Sequence, residues 1–165
     1  MVFLRSSKID DLIEVKAAYE NSVVIHEPWV FAPENYENYL TQEGRYFVCL
    51  NGSGEIIGTF NISGIVRGYF QSAYLSYEIF YPYHGKGHMG KGLELLIEEA
   101  FNNLNLHRLE ANIQPGNFAS IYLVSKSGFI KEGFSKNYLR IGGLEWKDHE
   151  RWALINQNWS ANKTL

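Results

Sequence analysis

Four glycines fall within the nine-residue run His84-Gly85-Lys86-Gly87-His88-Met89-Gly90-Lys91-Gly92, and a helical pattern starts where the run ends. Met89, Leu93, Leu96, Ile97, Ala100, Phe101 and Leu104 recur at the spacing that lines one face of a helix. Glycine lets a backbone approach a ligand closely, and the first N–H groups of a helix have no partner inside it. With Lys86 and Lys91 beside them, those groups suit a phosphate or pyrophosphate. The chain must therefore fold so that a turn into a helix opens onto a place where such a ligand can sit.

Three templates compete for these residues. Read as a nucleotide-triphosphate loop, the segment has its glycines and Lys91, but Gly92 stands where a hydroxyl should hold Mg²⁺. Read as a dinucleotide fingerprint, Gly85, Gly87 and Gly90 match and Glu110 follows at a suitable distance. Against that reading, Pro82 and Tyr83 separate the loop from the strand it should directly follow, and too little chain remains for a doubly wound sheet. Read as an acyl-CoA pyrophosphate loop at a strand-to-helix turn, His84 to Met89 fits in shape. There His84 replaces the usual Gln or Arg, and Met89 a small residue. A glycine-rich turn without a ligand is the bland alternative.

Composition narrows the field. At 165 residues the chain is expected to form one domain, 1–165, with residues from about 160 onward a frayed tail. Eleven Tyr, ten Phe and four Trp make aromatics abundant, and such residues often line concave sites as well as cores. A net charge of −3 without any Lys/Arg run gives no reason to expect direct nucleic-acid binding. The single Cys49, in an apolar stretch, excludes an internal disulfide and a cysteine-based zinc site, and reads as a small buried hydrophobe. The five histidines form no helical metal-binding pair, so no metal is expected. The sequence shows no apolar targeting core and no membrane-length run, which makes a cytoplasmic protein the default expectation.

The elements read in the order β, two helices, a β meander, then α, β, α, β, β. Strands are expected at residues 2–5, 45–50, 55–64, 73–80, 107–113, 129–139 and 144–155. Helices are expected from Asp10 or Asp11 to about Glu20, at 34–41, from the glycine loop to about Asn103, and from an Asn117 cap to Gly128. The phosphate-binding helix start then follows an antiparallel meander, and a helix-linked strand runs parallel beside it. Where parallel strands diverge, a cleft opens at their carboxyl ends, wide enough for a long thin ligand.

Several segments together are more specific than the loop. They are Tyr83-His84-Gly85-Lys86-Gly87-His88-Met89, Leu106-His107-Arg108-Leu109-Glu110-Ala111, Pro115-Gly116-Asn117-Phe118-Ala119-Ser120, Ser127-Gly128-Phe129 with Glu132-Gly133, and Trp146 with Asp148-His149. In this order and spacing the chain resembles the GNAT acetyltransferases, and among them the RimJ/RimL-type N-terminal acetyltransferases. The resemblance implies an α+β, three-layer fold: a mixed central sheet of about seven strands flanked by about four helices. It implies acetyl-CoA as donor and an amine as acceptor, foremost the N-terminal α-amine of a protein such as a ribosomal protein. A small amine (antibiotic, polyamine or amino acid) is the alternative acceptor, and a non-catalytic CoA-binding module the alternative class. A monomer or a homodimer is compatible with it.

The resemblance also implies residue roles. Backbone amides of the loop, from His84 through Gly85, Lys86, Gly87, His88 and Met89 to Gly90, would bind the pyrophosphate. Backbone groups of Ile79, Phe80 and Tyr81 would pair with the pantetheine arm, an N–H near Ile79 or Phe80 serving as oxyanion donor. Asn117 would touch the arm and Ser120 serve the thiol end. Read without the resemblance, these two are a helix cap and its first-turn hydroxyl. Glu78 is the first candidate base, ahead of Glu110 and His149. The family's usual acid and base positions hold Tyr74, Asn112 and Val124 here. On the acceptor side, Glu27, Trp29, Phe31, Tyr77 and His149 are expected around the amine, with Tyr36 as a further wall.

Overall fold

The computed structural model describes residues 1–143 and 145–161. Leu144, expected to open the last strand, and residues 162–165 of the expected tail lie outside them. The elements are β1 (Val2–Ser6), α1 (Leu12–His26), α2 (Tyr36–Leu40), β2 (Arg45–Leu50), β3 (Ile56–Val66), β4 (Ser72–Ile79), α3 (His88–Glu98), β5 (Arg108–Ile113), α4 (Phe118–Lys126), β6 (Ile130–Ile141) and β7 (Glu145–Ile155). A 3₁₀ turn at Ile9–Asp11 precedes α1, and a π-helical turn at Glu99–Asn103 finishes α3.

Seven strands form one sheet in the order β1-β2-β3-β4-β5-β7-β6. Only β4 and β5 run parallel, and they pair only from Ser72↔Arg108 to Leu75↔Ala111. The other neighbours are antiparallel, and β4 keeps its pairing with β3 as far as Gly58↔Ile79. The second half of β4 is thus bound on one edge and open on the other.

Period-two alternation separates the faces of the sheet. Phe60, Ile62, Ala73, Leu75, Leu109 and Ala111 turn toward α3 and α4, where they join Leu93, Leu96 and Val124 in the larger core. Gly92 lets α3 come close: a Cβ there would lie 2.9 Å from Phe60 and 3.2 Å from Val48. The residue that spoils the nucleotide-triphosphate reading therefore has a packing reason. On the other face Phe47, Cys49 and Phe80 pack with Val15, Tyr19 and Leu40 from α1 and α2. Cys49 is fully buried there, and burial pushes its thiol pKa up, which suits a small hydrophobe rather than a nucleophile.

Two helices depart from expectation. α1 runs six residues past Glu20, because Ser22 and His26 continue its buried stripe from Val15 and Tyr19 and find hydrogen-bond partners at the end of β4 and just beyond it. α2 is shorter than 34–41: Asn35 caps it, its side chain accepting from the Asn38 N–H at 2.9 Å. Asp11 holds Arg5 at 2.7 Å and the Lys8 N–H at 2.8 Å ahead of α1. No helix among the described residues is long and apolar enough to cross a membrane.

Candidate active site

The divergence of β4 from β5 makes the site. The Phe80 N–H donates to the Ile57 carbonyl at 2.8 Å, so even-numbered residues at this end of β4 direct their backbone groups to β3. By alternation, the backbone groups of Tyr77 and Ile79 face the gap. His26 Nε2 donates to the Ile79 carbonyl at 2.7 Å, and the Tyr81 N–H donates to Ser22 Oγ at 3.0 Å. A carbonyl only accepts, so Nε2 carries the proton. Burial lowers the His26 pKa, with the carbonyl opposing in part, and the ring is neutral near pH 7. The three residues expected to meet the pantetheine arm thus separate. Phe80 is a core residue with its N–H engaged and Tyr81 has its N–H engaged too, which leaves the Ile79 N–H as the backbone donor facing the gap.

The glycine loop forms the outer end of the first cavity. Gly85 (φ +72°) and Gly87 (φ +77°) take left-handed conformations, and Gly87 is the cap residue of α3. An added Cβ at Gly85, Gly87 or Gly90 would meet nothing within 4 Å, so the backbone is bare on its outer side. All seven residues from His84 to Gly90 line a cavity of about 990 Å³, closed on the far side by α4. Lys86 lies over the Tyr83 ring at 5.4 Å, while Lys91 pairs with Glu94 at 2.8 Å. A bare loop, a helix start and a long cavity ending at an open strand edge fit the pyrophosphate and arm of a CoA thioester.

A second cavity of about 560 Å³ enters from the other side. Phe31, Glu34, Ser76, Asn112, Arg140 and His149 line it. Trp29, Val30, Tyr77, Glu78, Asn117 and Ser120 line both cavities, so the two meet at these six side chains. Trp29 lies against Gly116, where a Cβ would come within 2.8 Å of its ring.

At the junction, Tyr77 Oη and Ser120 Oγ are hydrogen-bonded at 2.6 Å, and burial raises the phenol pKa well above its ordinary value. Asn117 caps α4, its Oδ1 accepting from the Ser120 N–H at 3.2 Å, as the reading without the resemblance anticipates. Glu78 keeps some accessible surface through the cavities, yet protein encloses its carboxyl. Burial pushes its pKa up to about 7, against the opposing influence of Arg45 and the Tyr19 hydroxyl.

The other expected site residues scatter. Glu110 pairs with Arg108 at 2.8 Å, which also holds Glu132, and it lines neither cavity. Glu27 is exposed and lines neither cavity either. Tyr36 sits in the α1–α2 layer, 6.1 Å from the Tyr19 ring. His149 is buried, lines the second cavity and donates from Nδ1 to the Lys147 carbonyl at 2.8 Å. The reading from sequence assigned no role to His26, Tyr19 or Glu34. The signal for the first two was polar groups at Tyr19, Ser22 and His26 on the stripe that starts at Val15, which should carry only apolar ones.

Comparison with known proteins settles the family. Residues 2–130 match the Acetyltransferase (GNAT) domain. The chain belongs to the GNAT acetyltransferase family. It is 35% identical over 123 residues to the Bacillus subtilis probable N-acetyltransferase YjcK, covering 73% of this chain and 67% of that one. To the Escherichia coli [ribosomal protein uS5]-alanine N-acetyltransferase it is 40% identical over 109 residues, 66% of this chain and 56% of the relative. The crystal structure of the ribosomal-protein-S5-alanine acetyltransferase from Vibrio fischeri superposes with a TM-score of 0.84 at 29% identity, covering 96% of this chain and 95% of that one. A Vibrio cholerae spermidine N-acetyltransferase, in complex with CoA and spermine, shares the fold at 21% identity, with a TM-score of 0.78 and 96% and 97% of the two chains covered. The GNAT membership and the seven-stranded sheet agree with the expectation from the sequence.

Proposed function

We propose that this GNAT protein transfers an acetyl group from acetyl-CoA to the N-terminal α-amine of a protein such as a ribosomal protein, by direct attack of the amine on the thioester. One observation carries the reading: two cavities approach from opposite sides and meet at Glu78, Tyr77 and Ser120. Acetyl-CoA supplies the activated acyl group. The loop from His84 to Gly90 would hold its pyrophosphate, and the open edge of β4 its arm.

The chain's own residues then have four tasks. Trp29, Phe31 and the wall of the second cavity orient the acceptor. Glu78 takes the proton from the amine. The Ile79 N–H faces the gap where charge develops on the thioester oxygen. Tyr77 and Ser120, as a hydrogen-bonded pair, can turn a hydroxyl toward the departing thiolate as a hydrogen-bond donor, the thiolate's proton coming from solvent.

The pKa of the base favours an α-amine. A carboxyl titrating at about 7 is within roughly one unit of an α-amine near 7.7–8.0, so the proton transfer is uphill by only about 1 kcal/mol. From an ordinary alkylamine near 10.4 it is uphill by about 4–5 kcal/mol. The 40% identity to a uS5-alanine enzyme supports the same acceptor class. A polyamine is the second reading, favoured by two carboxylates, Glu34 and Glu78, in the acceptor cavity; Arg140 on the same wall opposes it.

The test is acetylation of a panel read by mass spectrometry: peptides with a free N-terminus, the same peptides blocked at the α-amine but carrying lysine, and spermidine. Modification of the free N-terminus alone is expected. Modification of spermidine alone would transfer the assignment to small amines. Acetyl-CoA binding without any product would make the chain a binding module.

A further inference from the structure

The wall of the second cavity carries two hydrogen-bond acceptors that the reaction as described does not use. On β5, Leu109, Ala111 and Ile113 turn toward α3 and α4, so by alternation Asn112 faces the other side of the sheet, where it lines the second cavity with Glu78. Asn112 Oδ1 is buried and has no hydrogen-bond partner. Its register partner on β7 is Arg151, whose guanidinium lies toward β6, where a Cβ added to Gly133 would come within 2.8 Å of it. His149 stands two residues from Arg151 on the same face of β7, which makes it a diagonal neighbour of Asn112 at roughly 7–8 Å. It is 2% exposed and lines the same cavity. Its Nδ1 bonds the Lys147 carbonyl of its own strand at 2.8 Å. A carbonyl only accepts, so in the neutral ring the proton sits on Nδ1, and Nε2, at the far tip, keeps a lone pair. No hydrogen bond among the described residues engages Nε2. Polar atoms buried without partners are uncommon, and two of them beside each other on a cavity wall mark a place where a ligand supplies donors.

We propose that His149 and Asn112 determine acceptor specificity: His149 Nε2 accepts from the first peptide N–H of the acceptor chain, and Asn112 Oδ1 accepts a second hydrogen of its amine. The inference rests on the reading of the second cavity as the acceptor's. A neutral amine has two hydrogens, of which Glu78 needs only one, and the other is free for Asn112. The next donor along a peptide is the N–H of its second residue.

Spacing and charge both suit a peptide end. Only two carbons separate an α-amine from the next peptide nitrogen, so that N–H lies about one residue repeat, roughly 3.3 Å, beyond the amine. In a polyamine three or four methylenes follow the amine, and they offer no donor at that point. The next nitrogen there is a cation, which inside a cavity needs a carboxylate partner. An imidazole lone pair and a side-chain amide supply none, and Arg140 stands on the same wall. A peptide N–H is uncharged and is matched by an uncharged acceptor.

The experiment changes one atom of the acceptor. A peptide with a free N-terminus is compared with its depsipeptide, in which an ester oxygen replaces the first peptide N–H, by kcat/KM for wild type, His149→Gln and His149→Phe. Wild type is expected to favour the peptide by about tenfold. His149→Gln, whose amide oxygen can accept at the same point, should keep most of that preference. His149→Phe should reduce it to less than about twofold, with acetyl-CoA affinity unchanged. A loss in His149→Phe that is equal for the two acceptors would mean that the imidazole only packs the wall, and would overturn its role. A wild-type ratio near one would overturn it without any variant, so the test stands even if His149→Phe does not fold. Asn112→Leu, of similar size, should lower kcat/KM by about tenfold for both acceptors alike, since both carry the amine, and an unchanged rate would remove Asn112 from the site. Acetylation of spermidine and of neither peptide nor depsipeptide would remove the peptide reading of the cavity itself, a failure distinct from a peptide acetylated without regard to its N–H.

Discussion

In the proposed reaction, Glu78 couples stability to activity. Its pKa of about 7 lies above the ordinary carboxyl value of 4.5, so between these limits the folded protein holds the proton more tightly than the unfolded chain does. The stability linked to this group is therefore fully present below pH 4.5 and is lost as pH rises through 7. Glu78→Gln removes a charge that the fold accommodates poorly at alkaline pH. After allowance for solvent reaching the cavities, the variant should be more stable than wild type by about 1–3 kcal/mol at pH 8, the curves converging below pH 4.5. Urea denaturation at several pH values measures this, and a variant less stable than wild type at pH 8 would mean that Glu78 is ionised without penalty. Activity should move the opposite way, since in the proposed reaction the form that destabilises the fold is the one that accepts the proton. Stability given up at a reacting group is the pattern expected of a functional site.

Among the elements, the loop and α1 position the site by different means. The loop acts through backbone: Gly87 caps α3 with φ +77° and leaves its outer side open. Gly87→Val forces a β-branched residue into a conformation it strongly resists, and its side chain would occupy the bare side where a pyrophosphate would lie. The variant should remain folded, as read by circular dichroism, and lose at least tenfold in acetyl-CoA affinity by calorimetry. Unchanged affinity would release the loop from this role. α1 acts through side chains, with Ser22 and His26 fastening the Tyr81 N–H and the Ile79 carbonyl. In a strand paired on both edges neither contact would be needed. They follow from the departure of β5 after Ala111, which leaves backbone groups on the open edge to be satisfied by some other element.

Across the whole molecule the two cavities meet at the gap between two diverging strands, so a CoA thioester bound as proposed would bridge α3, α4 and the end of β4. Such a ligand binds the folded state alone and should stabilise it by about 2.7 kcal/mol at a hundredfold excess over its Kd. For a domain of this size that corresponds to an increase in Tm of roughly 5–10 °C. Thermal unfolding with and without acetyl-CoA is the check, with NADH and ATP–Mg²⁺ as controls. A shift produced by either control and not by acetyl-CoA would mean that the bare loop belongs to another ligand.

The division between sequence and structure follows the range of the forces involved. Local pattern alone specified the strand order along the chain, the Asn117 cap, the helix start at the glycine loop and the burial of Cys49, because these depend on neighbours a few residues apart. The joint order of the motifs was enough to indicate the family. What only tertiary structure decided depends on residues far apart in the chain. Glu110 and Glu78 look alike as strand carboxylates, but Arg108 and Glu132 draw the first into an ion-pair group while Tyr19 and Thr59 enclose the second beside the cavities. Phe80 and Ile79 are neighbours, yet the pairing of β3 with β4 assigns one N–H to Ile57 and directs the other to the gap. The extra length of α1 and the partners of its buried Tyr19, Ser22 and His26 likewise depend on residues 20, 59 and 53 positions later in the chain.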